Sequence, residues 1–193
     1  MSEEPVNDQQ VNVRPARGFL LPRDCTATVV PAGHRVTLPE GDRVTVMQAL
    51  GGTVTVTTSS GEMARISADD AFEFGLIDRL PERSGASDEP FSVDRVWEAA
   101  ATVFDPEIPV NIVELGLVYR VDTVQLDNGE WSVDIDMSVT APFCGMGDVL
   151  RTDLAEAVAA INGVAEVKVT LVLDPPWDAS RLSDVARLEL GMM

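Results

Sequence analysis

Trp131-Ser-Val-Asp-Ile-Asp-Met-Ser-Val139 alternates apolar and polar residues without a break. Trp131, Val133, Ile135, Met137 and Val139 therefore share one face, the period-two signature of a half-buried strand. Before it, Asp127-Asn-Gly129 is a hairpin turn, which pairs this strand with an earlier one over about Leu117–Leu126. After it, the loop Thr140–Gly147 leads into a helix whose buried face is Val149, Leu150, Leu154, Ala157, Val158 and Ile161, stopped by Asn162-Gly163. Val164–Leu173 is a third strand, Asp174-Pro-Pro-Trp177 breaks it, and Asp178–Leu190 reads as a last helix. Upstream, Ser92 caps a helix that turns Val93, Val96, Trp97, Ala100, Val103 and Phe104 to one side, and Asp105-Pro106 ends it. The order α-β-β-α-β-α over residues 92–193 predicts an α+β domain, with helices packed on one face of a small mixed sheet.

The first half reads differently. Thr26–Val30, Arg35–Leu38, Val44–Met47 and Thr53–Thr57 are short runs of β-branched residues separated by Pro31-Ala-Gly33, Pro39-Glu-Gly-Asp42 and Gly51-Gly52. Strands are expected to continue to about Phe74, as a small all-β domain over residues 14–79 built as an antiparallel barrel or sandwich. Residues 1–13 are polar and read as a flexible start, and residues 80–91 as a Pro- and Gly-punctuated linker. Residues 1–90 hold 14 acids and 8 bases, net −6, and residues 91–193 hold 18 acids and 6 bases, net −12.

Composition narrows the function. Of 193 residues 45% are hydrophobic, which is ordinary for a folded protein, and the net charge is −18 with Lys168 as the one lysine. So few cations cannot build a phosphate-binding surface or hold an anionic membrane, so nucleic acid and membrane are excluded as partners. The start, Met1-Ser-Glu-Glu-Pro5, lacks the basic and apolar regions of a signal peptide, and no stretch reaches the ~20 apolar residues of a span. A cytoplasmic protein is expected. With two cysteines, Cys25 and Cys144, and one histidine, His34, the chain cannot close a structural zinc site of N and S ligands, and a histidine-based triad is hard to build.

Cys144 is the most informative position. It lies in Thr140-Ala-Pro-Phe-Cys-Gly-Met-Gly147, where glycines let the backbone turn or approach a ligand closely. A cysteine at a helix entrance is biased toward the thiolate that binds metals or attacks electrophiles; the bland alternative is a buried, inert thiol. Asp105 and Glu107, with Glu114 further on, have the chemistry of hard ligands or an acid/base pair, yet Asp-Pro-Glu is also ordinary turn sequence. Trp177 reads as an aromatic lid on the core, Cys25 as structural, His34 as an exposed turn residue and Met146 as loop packing.

Asp105-Pro-Glu-Ile-Pro-Val-Asn-Ile-Val-Glu-Leu-Gly-Leu-Val-Tyr119, then Thr140 and Cys144, then Pro175-Pro-Trp177 and Leu190-Gly191, resemble the PaaD-like family of iron–sulfur cluster assembly proteins. The β-rich extension and Cys-Gly-Met-Gly147 are similar to its SufT-type subgroup. One departure is Gly145, where many members have proline. The resemblance implies a non-enzymatic adaptor or transient carrier in the maturation of iron–sulfur proteins. Cys144 is then the reactive, cluster-contacting residue, and Asp105, Glu107, Thr140, Gly145 and Gly147 belong to its pocket. A cluster takes four thiolates. One loop cysteine therefore implies at most a transient iron–sulfur cluster with Cys144 as a ligand shared with another chain, and no other cofactor. Implied partners are scaffold or carrier proteins, client apo-proteins and a second copy in a homodimer. Two other functions stay open: an accessory subunit of a multicomponent oxygenase, and a thiol enzyme using His34 as base.

Overall fold

The computed structural model describes residues 18–77, 90–141 and 145–192. The expected flexible start and most of the expected linker lie outside the described residues. The chain divides into two units, Met1–Val30 with His34–Glu82, and Pro31–Gly33 with Arg83–Met193.

The first unit holds β1 (Phe19–Leu20), β2 (Cys25–Val30), β3 (Arg35–Leu38), β4 (Arg43–Leu50), β5 (Thr53–Thr57), β6 (Met63–Ser67) and α1 (Ala68–Glu73). All pairings are antiparallel and run in the order β1-β4-β5-β6-β2-β3. The result is one six-stranded sheet, so the described residues form neither a closed barrel nor two separate sheets. Its edges are the two-residue β1 and the short β3 with exposed Arg35 and Thr37, a usual way of ending a sheet without inviting further pairing. Leu21, Ala27, Leu38, Val44, Val54, Val56 and Ile66 fill the core. The expected run of strands stops at Ser67, whose Oγ accepts the Asp70 N–H and caps α1. Ser67-Ala-Asp-Asp70 carries a helix-start signal: a cap residue followed by acids in the first turn.

The second unit holds α2 (Val93–Ala100), β7 (Val118–Gln125), β8 (Trp131–Met137), α3 (Met146–Ala159), β9 (Val164–Leu171) and α4 (Asp184–Glu189). The sheet order is β7-β8-β9, antiparallel between β7 and β8 and parallel between β8 and β9, with α3 as the crossover between the parallel pair. This is the mixed sheet and helix order that the sequence predicts. Val133, Ile135 and Met137 of β8 meet Val96, Ala99 and Ala100 of α2 and Leu150, Leu154 and Val158 of α3 in one core. Each fully buried aliphatic side chain of this kind contributes about 1.5–3 kcal/mol relative to exposure.

Two helices are shorter than expected. Past Ala100, Thr102 and Val103 donate to carbonyls three residues back, and the Val103 carbonyl then accepts the Ile112 N–H. With Phe104 bridged antiparallel to Asn111, residues 103–104 are committed to a strand-like turn-back and not to the helix. The last helix breaks as well. Asp178 caps a short 3₁₀ turn, Ala179–Arg181, Leu182 is extended, and Ser183 caps α4. The break lets Leu182 and Ala186 both enter the core.

The C-terminal segment is fastened across the stretch before β7. Trp177 Nε1–H donates to the Leu115 carbonyl (2.7 Å), Tyr119 Oη–H to the Pro175 carbonyl (3.2 Å), and the Ser183 hydroxyl to the Glu114 carboxylate. The Arg181 guanidinium lies 3.8 Å from the centre of the Tyr119 ring. Gly116, at φ +67°, permits the crossing, since a Cβ there would lie 2.3 Å from the Arg181 carbonyl oxygen. Trp177 packs half-buried against the core, as a lid should.

Candidate functional site

The turn after α2 is built around two acceptor side chains. Asp105 Oδ1 accepts the N–H groups of Glu107 (2.9 Å) and Ile108 (3.0 Å), and Asn111 Oδ1 those of Val113 (3.0 Å) and Glu114 (2.9 Å). These are Asx turns, the local reason that Asp-Pro-Glu and Val-Asn-Ile fold as they do. Asp105 is buried, with 6% of its surface exposed, whereas Glu107 is exposed.

The Asp105 turn forms one wall of a cleft of about 30 Å³, room for little more than one water molecule. The cleft is lined by Asp105, Glu107, Thr140, Ala141, Met146 and Gly147, with Val139 and Leu150 behind them. Four of the pocket residues expected from sequence, Asp105, Glu107, Thr140 and Gly147, thus meet at one place, and Gly145 is absent from the lining. Cys144 lies outside the described residues, together with Pro142 and Phe143. The chain on either side of these three is described, and Ala141 and Met146 both line the cleft.

Gly145 precedes Met146 at the head of the 14-residue α3 and offers no side-chain acceptor to the first turn. The first-turn N–H groups of a helix carry its positive pole, which favours an anion nearby. Thr140 and Glu107 add a hydroxyl and a carboxylate to the cleft wall. Chemically, such a wall can hydrogen-bond, accept protons or offer hard oxygen ligands. Among the described residues, no three His, Cys, Asp or Glu side chains gather as metal ligands.

Glu114 is not part of this wall. Its backbone carbonyl accepts the Ser183 N–H and its carboxylate the Ser183 hydroxyl, so it anchors the start of α4. Met146, read from sequence as loop packing, is buried in the first turn of α3 and lines the cleft, as do Leu150 and Val139. Their spacing carried a signal: Met146, Gly147 and Leu150 lie on one side of a helix that starts at Met146.

The remaining candidates lie in the first unit. His34 is exposed beside the β2–β3 turn. Cys25 is a free thiol with 1% of its surface exposed. Burial pushes its pKa from the ordinary 9.0 up to about 11, helped by the negative charge of Asp70. Because the folded value lies above the unfolded one, this thiol contributes stability below about pH 9, which is lost as pH rises through about 11. A Cys144→Ser variant, left with Cys25 alone, is therefore expected to resist iodoacetamide at about pH 8 while folded and to label fully in denaturant. Ready labelling of the folded variant would contradict the burial.

No helix among the described residues is long and apolar enough to cross a membrane. Residues 93–170 match the family described as iron–sulfur cluster assembly protein. The chain is 40% identical over 92 residues to a protein of Porphyromonas gingivalis named Fe-S protein maturation auxiliary factor, covering 48% of this chain and 84% of that one. It is 33% identical over 90 residues to the Staphylococcus aureus Fe-S protein maturation auxiliary factor SufT, covering 47% of this chain and 98% of that one. An Escherichia coli protein provisionally named as one of the subunits of 1,2-phenylacetyl-CoA epoxidase is 34% identical over 102 residues, with 52% of this chain and 58% of that one covered. All three likenesses span about half of this chain.

Proposed function

This chain belongs to the iron–sulfur cluster assembly protein family, and from that membership we propose that it is an accessory factor in the maturation of iron–sulfur proteins, acting through Cys144. The observation that carries the proposal is the convergence of Asp105, Glu107, Thr140, Ala141, Met146 and Gly147 on one cleft, from both sides of the segment that holds Cys144. In this reading Cys144 presents a thiolate to a cluster that is cargo, received from a scaffold or carrier protein and passed to a client apo-protein in the cytoplasm. The residues present fit transient contact. A stable cluster takes four thiolates; the chain has two cysteines, and Cys25 is buried with its thiol held protonated at neutral pH. The missing ligands then come from another chain, a partner protein or a second copy. No step requires a chemical transformation by this protein, which makes it an adaptor or carrier and not an enzyme.

The test is anaerobic reconstitution with iron and sulfide, followed by absorbance and native mass measurement on the wild type and on Cys144→Ser. The expected result is a visible chromophore on a species larger than the monomer, lost in the variant. A chromophore retained by Cys144→Ser would remove Cys144 as a ligand. The likeness to the Escherichia coli protein favours a second reading, an accessory subunit of a multicomponent oxygenase. Co-purification separates the two: a cluster scaffold or donor supports the first, an oxygenase component the second.

A further inference from the structure

The strand β9 (Val164–Leu171) ends the second sheet, and among the described residues no strand pairs with its outer side. It has eight residues, whereas the first sheet ends on the two-residue β1 and the four-residue β3. An open edge of that length is a template for another strand. The Met137 carbonyl accepts the Val172 N–H (2.8 Å), and β9 keeps an even register with β8 from Glu166 to Leu171. Successive residues of a strand send their N–H and C=O to opposite sides. Glu166, Lys168 and Thr170 therefore bond toward β8, as Val172 does, and Val167, Val169 and Leu171 present theirs outward. Side chains alternate too: Val167, Val169 and Leu171 pack on the core, and Glu166, Lys168 and Thr170 are exposed on the other face. Lys168, the one lysine of a chain of net charge −18, has 77% of its side chain exposed. Its Nζ lies 3.7 Å from Oδ1 of the half-exposed Asp134, a surface contact worth little. Among the described residues Glu166 forms no ion pair.

We propose that the outer edge of β9 pairs antiparallel with the same edge of a second copy of this chain, about a two-fold axis at Val167, joining two three-stranded sheets into one. In this register the outward N–H and C=O of Val167 meet those of its counterpart, and the two residues exchange a pair of hydrogen bonds. Each copy's Glu166 then lies opposite the other's Lys168, at the position between hydrogen-bonded pairs where side chains stand closest. The registers one step to either side, centred on Glu166 or on Lys168, set Glu166 against Glu166 or Lys168 against Lys168. Like charges directly opposite are destabilising. Charge complementarity thus selects both the partner, a second copy, and a single register. The other edge, β7, has spent its charges within its own sheet: Arg120 Nε donates to Asp136 (2.7 Å) and its Nη1 pairs with Asp122. Repulsion between two acidic chains is screened beyond about 8 Å at physiological salt, and the facing Glu166 and Lys168 lie inside that distance. The inference rests on strand geometry and is independent of Cys144.

The measurement is sedimentation equilibrium of the full chain, free of iron and sulfide, over a concentration series at physiological ionic strength. The wild type is compared with Glu166→Lys, Lys168→Glu and the double exchange Glu166→Lys/Lys168→Glu. Both side chains are exposed, so the urea midpoints are expected to stay near that of the wild type. The wild type is expected to dimerise as its concentration rises, and hydrogen exchange of the Val167 N–H to slow with it. Each single exchange sets like charges opposite one another at both pairs and is expected to weaken the dimer about tenfold or more. An equimolar mixture of the two single variants is expected to form a heterodimer, and the double exchange to regain the homodimer. A wild type that stays monomeric at millimolar concentration overturns the proposal and leaves Lys168 as a charge that blunts the edge. A dimer that the single exchanges do not weaken, or that leaves the Val167 N–H unprotected, places the contact elsewhere and also overturns it. So does a mixture of the single variants that stays monomeric. Because no cluster is present, failure here is distinct from failure of the maturation role, which Cys144→Ser reports separately.

Discussion

Replacing Cys144 by serine is expected to lower the activity of cluster-dependent enzymes several-fold in cells grown under high iron demand, while the variant accumulates as a folded protein. Serine differs from cysteine by one atom, so packing changes little, but its hydroxyl is not ionised near neutral pH and is a poor ligand for iron held by sulfur. The other cysteine cannot substitute, because Cys25 is buried in the core of the first unit and titrates only at about pH 11. The assay reads two enzymes with iron–sulfur clusters and one without, at matched levels of wild type and variant. Undiminished activity of both cluster enzymes would remove Cys144 from the proposed role, and equal loss in the enzyme without a cluster would point to a general defect.

Asp105 gives the second large effect, and two substitutions divide it. Asp105→Ala removes the acceptor of the Glu107 and Ile108 N–H groups at a site with 6% exposure. Losing hydrogen bonds to a carboxylate acceptor costs about 1.5–3 kcal/mol, so the urea midpoint is expected to fall clearly. Asp105→Asn keeps a carbonyl oxygen for both N–H groups and is expected to hold most of that stability while losing the negative charge on the cleft wall. If that charge serves the cluster role, Asp105→Asn reduces cluster-enzyme activity at near-wild-type stability. Full activity of Asp105→Asn would make this carboxylate a turn-former only. An unchanged midpoint in Asp105→Ala would contradict the turn itself.

Much of the second unit is legible in the sequence because one short-range signal decides each element. The alternation of Trp131–Val139, the turn at Asp127-Asn-Gly129 and the stop at Asn162-Gly163 each reflect local geometry, and β8, the hairpin and α3 form where they indicate. The failures lie where a distant partner overrides a local pattern. Val103 and Phe104 continue the apolar stripe of α2, yet Ile112 and Asn111 hold them in a turn-back. Residues 178–190 look like one helix, yet burying Leu182 requires a break. The short α1 is hidden from a pattern reading although Ser67 and its acidic first turn announce it, because β-branched runs dominate the residues before it.

For the site, residue chemistry and motif order single out Asp105, Glu107, Thr140 and Gly147, since carboxylates, hydroxyls and glycines keep their chemical character in any fold. That they meet at one cleft is decided by tertiary structure, because the turn after α2, the residues after β8 and the first turn of α3 line it together. Glu114, as acidic as its neighbours and only seven residues beyond Glu107, is instead drawn away to anchor Ser183 and α4. Sequence by itself determines which atoms can bind or ionise. Packing alone determines which of them share a space, because that depends on contacts between residues far apart in the chain.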